Sequence, residues 1–370
     1  MLSRPLAQTH DTLASLLHRC GHPKVISEGR RVHQVVLENG SEHDTHLSNL
    51  LVQMYGLCES LEDAKAVFDG IVNKDKFSWM FIISAFTKKG QGKVALHLFN
   101  QMKLAEEFSI DKHIFTSLLS ACAGMVDKAQ GMYVHECIVK DEVEEDIFIG
   151  TALIHMYAKC GHMVKAQEIF NQIEIRNVVS WTSLISGYVE NGCIDTAMDC
   201  FERMQAEGSS PDSVTFICVL KACGSVGALE KGKQIHDEIA RRGLFKKEIA
   251  LSTAIVDMYA KCGLPRKAQE VLEDIPIRNV ISWSAIISGY ANQGLYNEAL
   301  ICFEQMQNEG LSPDAVTLTC ILNVCGCIGA VDKGILVHHE IMSKGLLEKH
   351  IMLGNALVDM YAKCGMLAKT

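Results

Sequence analysis

Apolar residues in this chain return at helical spacing, and the helices themselves return at a fixed distance. In 178–212, VVSWTSLISGYVENGCIDTAMDCFERMQAEGSSPD, Trp181, Leu184, Ile185 and Tyr188 fall at i, i+3, i+4 and i+7, the stripe of an amphipathic helix. Asn191-Gly192 breaks the stripe, and a second helix then places Ile194, Ala197, Met198, Phe201 and Met204 on one face. A Ser-Pro-Asp turn closes the segment, so these 35 residues predict one antiparallel helix pair.

The pair recurs at 280–314 and, more distantly, at 76–111. A second type fills 112–146, 213–248 and 315–350, with 10–44 ahead of them. Its second helix carries GRRVH, GMYVH, GKQIH or GILVH, with glycine at the place of Ala197, and that small residue is expected to let the paired helices approach closely. A third type, 31 residues long, fills 45–75, 147–177, 249–279 and a truncated 351–370. Its first helix ends in MYAKCG at 156–161, 258–263 and 360–365, and in the worn copy MYGLCE at 54–59, each 102 residues after the one before. Gly161, Gly263 and Gly365 are placed as left-handed C-caps, whereas Glu59 predicts a different turn. The hexapeptide therefore reads as the turn of a recurring hairpin, without chemistry of its own.

Helix pairs of roughly 34 residues bury a continuous core only through their neighbours. The expectation is an all-α fold, a right-handed α-solenoid superhelix of tandem helix-turn-helix repeats. It runs without a linker over 10–370 after an N-terminal stub at 1–9, and the last repeat stops inside its second helix, as a fragment or truncated gene would.

Composition narrows the function. Hydrophobic residues make up 48% of 370, with six prolines, which excludes a disordered chain. No apolar run reaches the ~18 residues of a membrane span, so no membrane partner is expected, and the N-terminus lacks the apolar core of a secretory signal. Thirty-five basic against 44 acidic residues give a net charge of −9, so any binding to nucleic acid must rest on local contacts rather than bulk charge.

Fifteen cysteines include no C-x-x-C, and eight occupy repeat-locked positions: Cys20, Cys58, Cys122, Cys160, Cys223, Cys262, Cys325 and Cys364. They read as small apolar core residues in a reducing compartment, not as metal ligands. GALEKGKQ at 227–234 nearly matches a P-loop but has Gln234 where a hydroxyl must meet magnesium, and no strand precedes it. His33, His135, His236 and His338 are ranked along the stack and cannot converge on one metal; they read as helix-packing or polar-edge histidines. The sequence shows no catalytic residue, cofactor site or metal site.

The alternation of 35-, 35–36- and 31-residue pairs, together with SWTSLISGY, LKACGSVGALEKGKQIH and ALVDMYAKCG, resembles the P, L and S motifs of plant pentatricopeptide repeat proteins of the PLS subclass. The resemblance covers 10–370: L 10–44, S 45–75, P 76–111, L 112–146, S 147–177, P 178–212, L 213–248, S 249–279, P 280–314, L 315–350 and a truncated S 351–370. It implies single-stranded RNA binding at one base per repeat, read by the fifth and last residues of each repeat. An Asp carboxylate suits the imino N–H of guanine or uracil, and an Asn amide suits the bare ring nitrogen of adenine or cytosine.

Residue by residue, the resemblance makes Asn49 with Asp75 a uracil reader. Thr151 with Asn177 and Thr253 with Asn279 become adenine readers, and Thr182 with Asp212 and Ser284 with Asp314 guanine readers. Asn355 prefers a pyrimidine, while Met80 with Asp111, Ile217 with Glu248 and Thr319 with His350 fit no code. The implied footprint is 5′-U-?-?-A-G-?-A-G-?-Y-3′. Phe77, Phe148, Val179 and Ile281, second in their repeats, are the implied wedges that sandwich bases. The competing reading of these base-reading positions, fifth and last alike, is an ordinary helix N-terminus, where Thr, Ser and Asn are common caps.

The family further implies a monomer in a mitochondrion or chloroplast, acting on organellar transcripts in C-to-U editing or processing, with organellar RNA-editing or processing proteins as candidate partners. Related proteins often end in a cytidine-deaminase-like domain that this sequence lacks. A tetratricopeptide-like protein-interaction scaffold shares the tryptophan, Gly-Tyr, A-x-x-x-F and closing proline; the regular alternation and the SPD endings favour the RNA binder.

Overall fold

The computed structural model describes residues 10–22, 25–41, 43–105, 110–143, 145–245 and 247–366. The stub at 1–9 and the last four residues of the truncated repeat lie outside them. Among the described residues every regular element is a helix. The chain divides into two compact units, Met1–Asn191 and Gly192–Thr370.

The first unit holds α1 (His10–Arg19), α2 (Ile26–Glu38), α3 (Thr45–Leu57), α4 (Leu61–Gly70), α5 (Lys76–Lys88), α6 (Gly92–Leu104), α7 (Lys112–Met125), α8 (Lys128–Lys140), α9 (Ile147–Lys159), α10 (Met163–Gln172) and α11 (Val178–Glu190). The second holds α12 (Ile194–Ala206), α13 (Ser213–Val226), α14 (Leu229–Arg241), α15 (Ile249–Lys261), α16 (Pro265–Glu273), α17 (Val280–Asn292), α18 (Tyr296–Asn308), α19 (Ala315–Ile328), α20 (Val331–Ser343) and α21 (Ile351–Lys363). Within each unit the odd-numbered helices pack against one another, and each even-numbered helix lies between its partner and the odd-numbered helix that follows, as in α7–α8–α9 and α17–α18–α19. Each unit is thus an α-solenoid whose core exists only between neighbouring hairpins.

The odd-numbered helices cross with room for a single methyl group. A Cβ added to Gly187 on α11 would lie 2.6 Å from Cβ of Ala158 on α9, and one added to Gly289 on α17 would lie 2.9 Å from that of Ala260 on α15. Between α3 and α5 the roles are exchanged. Gly56 is the glycine there, and its Cβ would meet Ala85 at 2.7 Å. MYGLCE has lost the alanine of MYAKCG, and the next helix has gained one.

The rest of the hexapeptide is equally engaged. Met54, Met156, Met258 and Met360 fill the space over Gly29, Gly131, Gly232 and Gly334, whose Cβ atoms would fall 2.4–2.7 Å from the sulfurs. The glycine of the second repeat type therefore makes room for the following hairpin's methionine, not for the helix it pairs with. The adjacent tyrosine hydroxyl meets histidine Nδ1 in all four copies: Tyr55 with His33 at 2.9 Å, Tyr157 with His135 at 2.8 Å, Tyr259 with His236 at 3.1 Å and Tyr361 with His338 at 2.9 Å. The Cys58, Cys262 and Cys364 thiols donate to the carbonyls of Cys20, Cys223 and Cys325. Burial raises the Cys122 thiol to about 12 and that of Cys223 to about 11, which leaves them protonated and inert.

Gly161, Gly263 and Gly365 take φ of 76°, 79° and 75°, the left-handed turn the sequence predicts. Glu59 corrects the expectation of a different turn in the worn copy, since its φ is 66°. A side chain in that region costs about 1–2 kcal/mol, and the Glu59 carboxylate is bonded to Lys89 of the following hairpin.

Two expectations follow. Gly187→Ala should destabilise the chain by about 1–3 kcal/mol through overpacking against Ala158. Adding Ala158→Gly, which copies the Gly56–Ala85 arrangement, should recover most of that in urea melts; simple additivity of the two changes would remove the one-methyl constraint. The second concerns pH. Burial lowers the pKa of His33, His155 and His236 below the ordinary value. Tyr55, raised to about 12 by burial, keeps its proton, and its hydroxyl is hydrogen-bonded to Nδ1 of His33. The unfolded chain therefore binds more protons than the folded one once pH drops below about 6.5, so stability is complete above that value and falls below it. Melting temperature should decline from pH 7 to pH 5, and His236→Gln should shallow the decline.

Candidate nucleic-acid interface

The last residue of each hairpin stands at a helix N-terminus, where four backbone N–H groups lack intrahelical partners. Asp75, Asp111, Asp146, Asn177, Asp212, Asn279 and Asp314 cap α5, α7, α9, α11, α13, α17 and α19, each side chain accepting from a first-turn N–H. A short acceptor here stabilises the helix by about 0.5–2 kcal/mol. The fifth residues are not caps, which overturns the competing reading of them. Asn49, Thr182, Thr253 and Ser284 are buried within their helices, at 3–8% exposure; Thr151 is half-buried and Asn355 exposed.

Where both members lie in one unit, the fifth and last residues meet in three pairs. The Asn49 amide donates to Asp75 Oδ1 at 2.9 Å. Asn279 Nδ2 donates to Thr253 Oγ1 at 3.2 Å, and Ser284 Oγ lies 3.5 Å from Asp314 Oδ1. Thr182 belongs to the first unit and Asp212 to the second. Asp212 is exposed, and its Oδ1 accepts from both the N–H and the hydroxyl of Thr215 at 2.8 Å.

The chemistry of these caps divides by residue type. The bonds to Asp75 from Ser78 and Asn49, to Asp212 from Thr215 and to Asp314 from Thr317 and Ser284 end on Oδ1, and Oδ2 takes no part in them. Burial raises the Asp75 carboxyl, but the hydrogen bonds from Ser78, Asn49 and Phe77 outweigh it and hold its pKa below the ordinary value, so the acceptor is ionised at neutral pH. In Asn279 the cap fixes Oδ1 on Ser282 N–H, and one amide hydrogen goes to Thr253, whose own proton is bonded to the Ile249 carbonyl. The second amide hydrogen takes no part in these bonds.

Other terminal positions offer less. Asp146 caps with Oδ1, and its Oδ2 is held by Lys112 at 3.1 Å. Asp111 accepts from His113 N–H, and Met80 beside it in the sequence pattern is half-buried. Glu248 and His350 make no side-chain cap bond.

The second residues stand out as exposed apolar side chains: Phe77, Phe148, Val179 and Ile281 are 46–65% exposed. Val214, Val316 and Met352 occupy the same register and are equally open. Sequence reasoning passed over these three, although their second position was the available signal. Phe148 and Val179 line one open groove of about 620 Å³ together with Thr151 and Asn177, and with Lys112, His113 and His155. Lys112 Nζ sits 5.0 Å from the Phe148 ring centre and Lys76 Nζ 5.1 Å from that of Phe77, a cation over each aromatic face. Burial, followed by Lys159, lowers the pKa of His155, which keeps it neutral in the groove.

At α5, α9, α11, α13, α17 and α19 an exposed apolar residue stands two positions after an Asp or Asn cap, and units built on such a recurring start define a helical-repeat protein. The PPR repeat family matches 176–225 and 278–327, and the PPR repeat matches 77–105, 151–178, 214–244 and 252–280. The chain belongs to the pentatricopeptide repeat family. It is 34% identical over 356 residues to the Arabidopsis thaliana pentatricopeptide repeat-containing protein At5g27110, covering 96% of this chain and 51% of that one. It is also 34% identical over 358 residues to the chloroplastic At4g18520 of the same plant, with 96% and 57% covered. The chain spans about half the length of the curated relatives it matches. Among solved structures, pentatricopeptide repeat protein PPR10 in complex with an 18-nt psaJ RNA element has the same fold, with a TM-score of 0.75 at 16% identity over 94% of this chain and 51% of that one.

Asp75→Ala should cost about 0.5–2 kcal/mol in chemical denaturation through the lost cap, whereas Asp75→Asn, which still accepts from Ser78 N–H, should stay within a few tenths. Equal losses for both would remove capping as the reason for an acceptor here.

Proposed function

We propose that the chain binds single-stranded RNA by sequence, one base per repeat, with the terminal Asp or Asn of a repeat choosing the base. The observation that carries this reading is the division among the caps: the same bond to Oδ1 leaves a second carboxylate oxygen at Asp75, Asp212 and Asp314 and an amide nitrogen at Asn279. An acceptor meets the imino N–H of uracil or guanine, and a donor meets the ring nitrogen of adenine. Exposed Phe77, Phe148, Val179 and Ile281 supply the faces on which bases stack, a contact worth about 1–3 kcal/mol per base in single-strand binders. The net charge of −9 agrees with affinity drawn from base edges and stacking more than from phosphate.

The repeat boundaries follow the L, S and P alternation set out above, the arrangement of the PLS subclass. The biological role is the targeting of an organellar transcript for C-to-U editing or processing. Curated relatives described as chloroplastic and mitochondrial, At4g18520 and At3g09040, support an organelle as the site of action.

The deciding test uses Asn279, because Asn and Asp both cap a helix and the exchange leaves the fold in place. Asn279→Asp turns the amide donor into an acceptor. Affinity for the 5′-U-?-?-A-G-?-A-G-?-Y-3′ footprint should fall about 5- to 100-fold, the equivalent of one base contact of 1–3 kcal/mol. Much of it should return when the seventh base changes from A to G. A two-by-two gel-shift matrix of both proteins against both RNAs reads this directly. Equal weakening on both RNAs would show that Asn279 does not choose the base.

A further inference from the structure

A third side chain, one that the pair of base-reading positions leaves out, also bonds to the terminal aspartates. Ser78, Thr215 and Thr317 stand three residues past the caps Asp75, Asp212 and Asp314, and all are fully buried. Around Asp314 the hydroxyls form a directed chain. Thr317 Oγ1 donates to Asp314 Oδ1 at 2.6 Å, and its single proton is thereby used. Its contact with Ser284 must then have Ser284 as donor, since the direct path from Ser284 to Asp314 is a long 3.5 Å. Around Asp75 the chain has the same ends in another order. The Ser78 hydroxyl donates to Asn49 Oδ1 at 2.6 Å, and Asn49 Nδ2 donates to Asp75 Oδ1 at 2.9 Å. Both chains terminate on the oxygen that already accepts from the cap N–H, so tilting the carboxylate away from its present orientation would weaken both bonds at once.

The asparagine caps lack this arrangement. The Ser180 and Ser282 hydroxyls donate to the backbone carbonyls of Asn177 and Asn279, at 2.9 and 2.8 Å, and not to their side chains. The same position is therefore joined to the base-choosing group in one repeat class and separate from it in the other.

We infer that the hydroxyl three residues past a terminal aspartate, Thr317 for Asp314 and Ser78 for Asp75, is a positioning residue for base choice, and that the equivalent serine past a terminal asparagine is not. This rests on the RNA-reading function proposed above. With the hydroxyl in place the carboxylate offers a single acceptor in a fixed direction. Without it the carboxylate loses one of the hydrogen bonds that fix its direction.

The test compares Thr317→Val, Thr317→Ser and Ser282→Ala with the unaltered chain. Each is titrated against footprint RNAs carrying G or A at the eighth base, opposite Ser284–Asp314, and A or G at the seventh, opposite Thr253–Asn279; melting temperatures are recorded alongside. Thr317→Val preserves side-chain shape and the cap N–H, and should lower the G-over-A preference at the eighth base by about 5-fold or more, the worth of one charge-assisted bond. Preference at the seventh base should be unmoved, and Thr317→Ser should restore the eighth. Ser282→Ala removes the equivalent hydroxyl from a capping box, yet should leave the A-over-G preference at the seventh base within 2-fold. An eighth-base preference unchanged in Thr317→Val, or a loss equal to that in Ser282→Ala, overturns the inference while the base-reading function stands. An unaltered chain that binds the RNA with no preference at either base overturns the reading itself, and the inference with it.

Discussion

Three crossings of neighbouring odd-numbered helices, α3–α5, α9–α11 and α15–α17, are so close that each has space for one Cβ, and much else in the repeat follows from that geometry. At α9–α11 and α15–α17 the methyl comes from the alanine of MYAKCG and the opposing residue is glycine; at α3–α5 the donor and recipient change places. Close approach of backbones brings the remaining side chains of the hexapeptide against the preceding hairpin, where its methionine covers a glycine and its tyrosine finds a histidine. Conservation of six residues in one chain at intervals of 102 is thus a packing requirement, met anew in every third hairpin.

The same packing positions the candidate interface. Because consecutive first helices lie side by side, their N-termini form a row within each unit, and every N-terminus needs an acceptor for its unpaired N–H groups. Asp and Asn satisfy that need almost equally. The choice between them is therefore nearly free with respect to folding, and it changes only what the side chain presents outward. Asp and Asn caps differ in hydrogen-bonding character, and buried Asn49, Thr253 and Ser284 bond to three of them.

Electrostatics works at the same local scale. Ion pairs such as Lys112–Asp146, Lys159–Glu190 and Lys231–Glu202 bridge adjacent helices on the surface, where each contributes about 1 kcal/mol or less. One of them also distinguishes a site: Lys112 occupies the oxygen of Asp146 whose counterpart takes no part in the cap bonds of Asp75 and Asp314. Two aspartates capping helices in the same way thereby differ in what they can offer a ligand.

Periodicity alone gave the helix pairs, their turns and the left-handed glycines, because an amphipathic stripe and a chain-reversing residue are local properties. Trp181, Leu184, Ile185 and Tyr188 could be assigned to one buried face with no partner known. The exposed register of Phe148 and Ile281 was likewise legible once the repeats were aligned, though Val214, Val316 and Met352 show that the same register extends further. What the sequence left open were relations between hairpins. Nothing local says that Gly131 faces Met156 instead of its own partner helix, that Glu59 keeps the left-handed turn while its carboxylate is bonded to Lys89, or that the acceptors at the helix starts are the terminal residues and not the fifth. The hydroxyl chain from Ser284 through Thr317 to Asp314 joins residues 30 and 33 positions apart on separate helices. A linear pattern records which residues recur, whereas contact between them depends on the distance and angle at which one helix crosses the next, and those are set only when the hairpins stack.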